Sequence, residues 1–250
     1  TAGGGPGMGS TISLALAREG ADLVIADVDL GRAKKVAKEV QALGRQALPV
    51  MTDVSQKEHV VKMVAEAIDR FGKVSILVNH AGVGPGGPIE AISEETWDHN
   101  LAVHLKGSFL CSQAVVPHMK SEGWGRIVST SSRAAYKPLW SGMSDYSAAK
   151  AGIVGLSKAL AVELGPWGIT ANCVAPGGVA PSEGGGETST RRSMTLEERE
   201  AANIKEGGVV EPIRDILPEE IAGAVLYLVG PYSDRITGTV LQVNSGAYMA

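Results

Sequence analysis

Short apolar runs alternate along this chain with longer stretches whose apolar residues recur at helical spacing, and no other feature limits the possible folds as much. Residues 23–26, 47–51, 74–78, 126–131, 169–174 and 240–243 read as strands. Between the first strands, Ala33, Val36, Ala37 and Val40 mark an amphipathic helix that Gly44 ends. Val60, Val64, Ala67, Ile68 and Phe71 mark a second, ended by Gly72. Helices are also expected over residues 96–119, with a bend before Pro117, over 147–164 and over 218–229. A strand as continuously apolar as 74–78 is covered on both sides. Strands alternating with helices in this way predict an α/β fold, a doubly wound parallel sheet with helices on both faces. Residues 1–250 read as a single domain, within which residues 181–216 break the rhythm. That segment is long, polar and glycine-rich, and is expected to form a substrate-binding lid.

Composition narrows the functional classes. The net charge is −4 and no cluster of Lys or Arg stands out, which argues against nucleic acid as a partner. With neither an apolar run near 18 residues nor a signal-peptide pattern, a soluble, cytoplasmic protein without membrane contact is expected. Cys111 and Cys173 belong to no motif, and the five histidines show no metal-ligand spacing, so no metal is expected.

Gly3, Gly7 and Gly9 have the spacing G-x-x-x-G-x-G. Such a loop allows a tight turn, close backbone approach to a pyrophosphate, and a helix N-terminus whose free amides face it. Taken alone it reads equally well as a flexible glycine-rich segment. Asp27, followed by Val28 at the end of the first strand, adds a carboxylate that can accept from the adenosine ribose hydroxyls. Strand-end aspartates also serve as turn residues, so the two features count together. No basic residue directly follows Asp27, and none lies between Gly3 and Gly9, which favours NAD over NADP. The fold class is thus Rossmann-type, and it calls for a central strand before the glycine loop, expected upstream of Thr1.

Tyr146 and Lys150 stand four residues apart on one expected helix and share a face. With a tyrosine pKa of about 10, only about one phenol in a thousand is ionised at neutral pH. A nearby ammonium lowers that pKa and suits the phenol to general acid/base work. Such a pair also occurs on solvated helix faces. Ser131 and Ser132 end a strand upstream, where a hydroxyl can stabilise charge on a substrate oxygen.

The ordered set Gly3-x-x-x-Gly7-x-Gly9, Asp53-Val54, Asn79-His80-Ala81-Gly82, Ser132, Tyr146-x-x-x-Lys150 and Pro176-Gly177 resembles the short-chain dehydrogenase/reductase family over essentially the whole chain. The resemblance implies an NAD-dependent enzyme acting on a small-molecule secondary alcohol or ketone. It implies that Gly3, Gly7, Met8 and Gly9 line the pyrophosphate, Asp27 holds the ribose, and Asp53 and Val54 flank the adenine. Asn79, Ala81 and Gly82 would lie beside the cofactor, and Pro176, Gly177 and Val179 against the nicotinamide. Tyr146 would be the acid/base, Lys150 would bind the nicotinamide ribose and tune Tyr146, and Ser132 would orient the substrate. A homotetramer packed through the helices 96–119 and 147–164 also follows from the resemblance.

Four positions depart from the family pattern: Ala2 for Thr, His80 for the second Asn of Asn-Asn-Ala-Gly, Pro181 for Thr, and His104 for the Asn that supports a water link to the catalytic Lys. His104 either holds that water and alters the relay's pH dependence, or is a helix-interior histidine paired locally. Arg133, Arg191 and Arg192 are candidates to clamp an anionic substrate group, or surface arginines. Trp140 and Met143 are candidates to wall the substrate pocket. The competing functions are epimerisation or dehydration on the same fold, and a non-catalytic NAD-binding sensor.

Overall fold

The computed structural model describes residues 7–138, 140–179 and 216–246. In chain order it runs α1 (Met8–Arg18), β1 (Leu23–Asp27), α2 (Leu30–Ala42), β2 (Ala47–Met51), α3 (Lys57–Phe71) and β3 (Ile76–Asn79). It continues with α4 (Glu94–Leu101), α5 (Gly107–Glu122), β4 (Gly125–Thr130), α6 (Ser144–Leu164), β5 (Ile169–Pro176), α7 (Pro218–Val229) and β6 (Val240–Val243). Strands β3, β4, β5 and β6 form one parallel sheet in that order, and β1 pairs in parallel with β2.

Successive residues of a strand point to opposite faces, and the core divides accordingly. On one face Ile25, Val78, Val128 and Val174 pack under Ile12 and Leu16 of α1, Val36 and Val40 of α2, and Val225 and Leu228 of α7. On the other, Ala26, Leu77, Ile127 and Ala171 pack under Val60 and Val64 of α3, Leu110 and Val115 of α5, and Leu164 of α6. Every residue of β4 and β5 is buried, as strands covered on both faces must be. The result is the doubly wound parallel sheet expected from the sequence. Between β1 and β3 no ladder forms, and a cavity of about 370 Å³ opens there, lined by Leu23, Val24, Ile76, Leu77 and Val78.

Strand ends shift by one or two residues, and three helix boundaries shift by two or three. The helical stretch expected over 96–119 runs from Glu94 to Glu122, with a π-helical turn at Ala102–Lys106 between α4 and α5. Pro117 lies within α5, and the break from α geometry comes at the π turn instead. Pro117 has no amide to donate to Gln113, but Gln113 is exposed and water can satisfy its carbonyl. The helix expected from residue 147 starts at Ser144, which places Tyr146 in its first turn. Residues 181–215 of the expected lid lie outside the described residues; Ile216 is buried and bridges Val179 in parallel.

The end of the sheet away from the strand C-termini is closed by tight backbone packing. Gly168 precedes β5 with φ 71°, and a Cβ there would collide with the carbonyl oxygen of Gly123. Arg126, buried, reaches Asp234 at 2.5 Å on the same end. Gly168→Ala is therefore expected to reduce the unfolding free energy by about 2 kcal/mol, through left-handed strain and the forced backbone shift. Urea denaturation monitored by circular dichroism measures the loss.

Candidate active site

The parallel ladders bring the C-terminal ends of the strands to one edge, where loops carry the functional side chains. A groove of about 380 Å³ starts at the N-terminus of α1, where Gly7, Met8 and Gly9 line it. Gly7 is the N-cap with φ 135°, and Gly9 is buried, so the backbone itself forms this wall. Helix N-terminal amides and their partial positive charge suit a phosphate here. Gly3 lies outside the described residues.

The groove continues past Asp27 and Val28 at the end of β1. Asp27 is 9% exposed, and its Oδ1 accepts from the Asp29 amide at 2.9 Å. Asp27 is thus both a strand-end turn residue and a groove-lining acid. Arg32, on the first turn of α2, also lines the groove, and its Nε lies 3.4 Å from Asp29. No rule based on the residue directly after Asp27 would find Arg32; the turn of α2 carries it back. Asp53 and Val54 line the far part with Val103 and His99, and Asp53 Oδ1 accepts from the Ser55 amide at 2.9 Å and its hydroxyl at 2.7 Å.

Ala81 and Gly82 line the groove as expected, but Asn79 does not. Its amide points into the protein, with Nδ2 donating to Ser129 at 3.2 Å and to Ser112 at 3.4 Å, so that it holds β3 to β4 and α5. Unsatisfied amides are costly inside a protein, which explains that inward orientation.

A second cavity, of about 320 Å³, adjoins the first through shared walls at Met8, His80, Gly82 and Val83. It gathers Ser132, Tyr146, Lys150 and His104 with Pro176, Gly177 and Val179. Arg133, Trp140 and Met143 are not among its lining residues. Met143 is buried just before α6, whereas Trp140 is 59% exposed. Arg191, Arg192, Ala2 and Pro181 lie outside the described residues.

Lys150 is 4% exposed, with Nζ donating to the Thr130 carbonyl at 2.8 Å and lying 5.4 Å from the Tyr146 ring centroid. Burial pushes its pKa down to about 7. The Tyr146 pKa is raised, contrary to the expected lowering: burial pushes it up, and a hydrogen bond with Ser132 only partly opposes this. The Ser132 hydroxyl oxygen also accepts from the Ala134 amide at 3.1 Å, which orients it.

His104 is the buried residue of the π turn. Nε2 lies 3.1 Å from the Val83 amide and 2.9 Å from the Val83 carbonyl, and the tautomer decides which bond forms. The ring meets Tyr146 edge-on at 5.2 Å, and the close approach leaves no room for a Cβ at Gly82. These contacts pair Nε2 locally with Val83, whereas Nδ1 is buried with no hydrogen-bond partner among the described residues. Burial, then Lys150, depresses its pKa to about 3, and the same causes depress His80 to about 4. His80 Nδ1 is 3.0 Å from the Thr130 hydroxyl. Both rings therefore stay neutral through the usual assay range.

This nucleotide-sized groove, leading into a pocket with a buried Lys and a half-buried Tyr and Ser, defines a class of oxidoreductase site on a doubly wound sheet. The family model described as short chain dehydrogenase matches residues 1–192. The chain is 38% identical, over 98% of its length and 93% of the relative's, to the (2S)-[(R)-hydroxy(phenyl)methyl]succinyl-CoA dehydrogenase subunit BbsD of Thauera aromatica. It is 30% identical to the 3-oxoacyl-[acyl-carrier-protein] reductase FabG of Thermotoga maritima, over 98% of this chain and 94% of that one. A solved short-chain dehydrogenase/reductase of Serratia marcescens, a double mutant, superposes with a TM-score of 0.84 at 33% identity, covering 98% of this chain and 95% of the other. The chain belongs to the short-chain dehydrogenase/reductase family and is an oxidoreductase of that family, which works with nicotinamide cofactors. Among the described residues no helix is long and apolar enough to cross a membrane, and no group of three potential metal ligands is gathered.

The two neutral histidines have a consequence for stability. An unfolded histidine protonates near 6.5, whereas folded His104 does so only near about 3 and His80 near about 4. Between those values the unfolded chain binds more protons, so stability falls as pH falls through that window and is untouched above it. In His104→Asn the loss of melting temperature between pH 6.5 and 4 is expected to be shallower than in the wild type. Thermal melts across that range test this, and an unchanged slope would show that His104 does not stay neutral in the fold.

Proposed function

We propose that the protein transfers hydride between NAD and the carbinol carbon of a secondary alcohol, or runs the reverse reduction of a ketone, with Tyr146 as general acid/base. The observation that carries this is the gathering of Ser132, Tyr146 and Lys150 in one cavity adjoining the groove of Gly7, Met8, Gly9 and Asp27. The groove fits a dinucleotide: a helix N-terminus for the pyrophosphate, an acid at the strand end for the ribose, and Pro176, Gly177 and Val179 beside the catalytic pocket. A bound oxidised nicotinamide supplies the hydride acceptor and a positive charge.

Ser132 would hold the alcohol oxygen while Tyr146 Oη takes its proton as the carbinol hydrogen leaves as hydride. Burial disfavours both a lone Tyr146 phenolate and a lone Lys150 ammonium. Formed as neighbours the two charges stabilise each other, so their titrations are coupled. In reduction the same phenol returns the proton. The relatives, a hydroxy(phenyl)methylsuccinyl-CoA dehydrogenase and a 3-oxoacyl-[acyl-carrier-protein] reductase, make acyl-thioester alcohols and ketones the first substrates to try. Such substrates would also test the anionic-group reading of Arg133.

Tyr146→Phe keeps the ring and removes the transferable proton. Turnover is expected to fall by about a hundredfold or more while NAD still binds. Nicotinamide absorbance gives the turnover and calorimetry the binding; a Tyr146→Phe enzyme as fast as the wild type would remove Tyr146 from the chemistry.

The Asp27 carboxylate would repel a 2′-phosphate, and Arg32 is already paired with Asp29. NAD is therefore expected to bind about tenfold or more tightly than NADP. Asp27→Ala should narrow that ratio. Equal dissociation constants in the wild type would contradict the choice of NAD.

A further inference from the structure

The loop after β3 carries Gly82, Gly84, Gly86 and Gly87, and a segment so rich in glycine has little local stability of its own. Three side chains nevertheless hold it. His104 bonds the Val83 backbone, Asn100 Nδ2 donates to the Gly84 carbonyl at 2.8 Å, and Asp145 Oδ2 accepts from the Gly86 amide at 2.9 Å. The first two come from the helical stretch that follows the loop. Asp145 comes from the first turn of α6, 59 residues beyond Gly86.

Asp145 is 0% exposed. A carboxylate in such a place is costly unless it is hydrogen-bonded. Its other oxygen, Oδ1, accepts from the amide of Tyr146 at 2.7 Å, and the N-terminal end of α6 favours its charge. The neighbouring backbone is shaped around this contact. A Cβ at Gly86 would come 2.9 Å from Asp145 Oδ2 and 2.7 Å from Thr96 Cγ2, and one at Gly142 would come 2.9 Å from the Gly87 carbonyl carbon. One buried carboxylate therefore joins the loop that walls the nucleotide groove to the residue that would handle the proton.

We propose that Asp145 is a positioning residue: its carboxylate locks the Gly82–Gly87 loop to the first turn of α6 and so fixes Tyr146 relative to the bound cofactor. This rests on the reading of Tyr146 as the acid/base. Asp145 itself does not touch the reacting atoms. Its contribution is the geometry in which phenol, alcohol carbon and hydride acceptor line up, where a displacement near 1 Å costs about a hundredfold.

Asp145→Asn preserves the size of the side chain but turns one acceptor oxygen into a donor, so the Gly86 or the Tyr146 amide loses its partner. Gly86→Ala attacks the same bond from the loop side. In each, kcat is expected to fall about tenfold to a hundredfold. The melting temperature should stay above the assay temperature, and the NAD dissociation constant and the KM for the alcohol should move far less than kcat. Both changes disturb the Gly86–Asp145 bond, so the losses in the double variant should fall well short of the product of the single losses, Gly86→Ala adding only its crowding of Thr96. Wild-type kcat in Asp145→Asn, a loss matched by a loss of folded protein, or losses that multiply in the double variant would each overturn the proposal. If Asp145→Asn does not fold, Gly86→Ala alone decides between these results. Amide exchange at Gly86 separates this inference from the proposed reaction, since it needs no turnover. Faster exchange in Asp145→Asn supports the lock and unchanged exchange overturns it, even if the wild type oxidises no alcohol at all.

Discussion

The Lys150 Nζ donates to the carbonyl of Thr130 at 2.8 Å, and the hydroxyl of Ser131 donates to the carbonyl of Lys150 at 2.9 Å. These two bonds stitch the middle of α6 to the end of β4, and the position of the whole catalytic pocket follows from them. Thr130 is itself held in register, since β4 is laddered to β3 on one side and to β5 on the other. A buried amine needs a partner whatever its charge, and a strand-end carbonyl whose ladder has ended is one. The stitch places Tyr146, one helical turn before Lys150, over the point where the strands stop.

Around this lysine the protein has placed groups that carry no charge. His80 and His104 both lie near Lys150 and both are held neutral, by burial first and by the lysine second. No imidazolium then competes with Lys150 or with the charges of the proposed reaction. The π turn that carries His104 departs from regular helical bonding, a departure often found at functional positions.

Much of the site was legible because its residue types are unusual where they stand. A glycine loop before a helix, an acid at a strand end, and a tyrosine four residues before a lysine each carry a mechanism on their own. Arg32 and Asp145 were not legible, because each reads as an ordinary surface charge in sequence. The turn of α2 brings Arg32 to the groove, and the packing of the glycine loop against α6 buries Asp145. The inward turn of Asn79, which bridges two serines although its sequence neighbours line the groove, was not legible either.

Periodicity by itself determined the strand and helix order, the parallel sheet and its two covered faces, because period 2 and period 3.6 are local properties of the chain. It also determined that Tyr146 and Lys150 share a helix face. Only the tertiary structure decided which charges are solvated and which are buried, and therefore the protonation of Lys150, His80, His104 and Tyr146. It alone decided that the π turn, rather than Pro117, interrupts the α geometry of the long helical stretch, and that Asp145 faces Gly86. Those outcomes depend on contacts between residues tens of positions apart, and a local pattern holds no information about desolvation until those contacts are made.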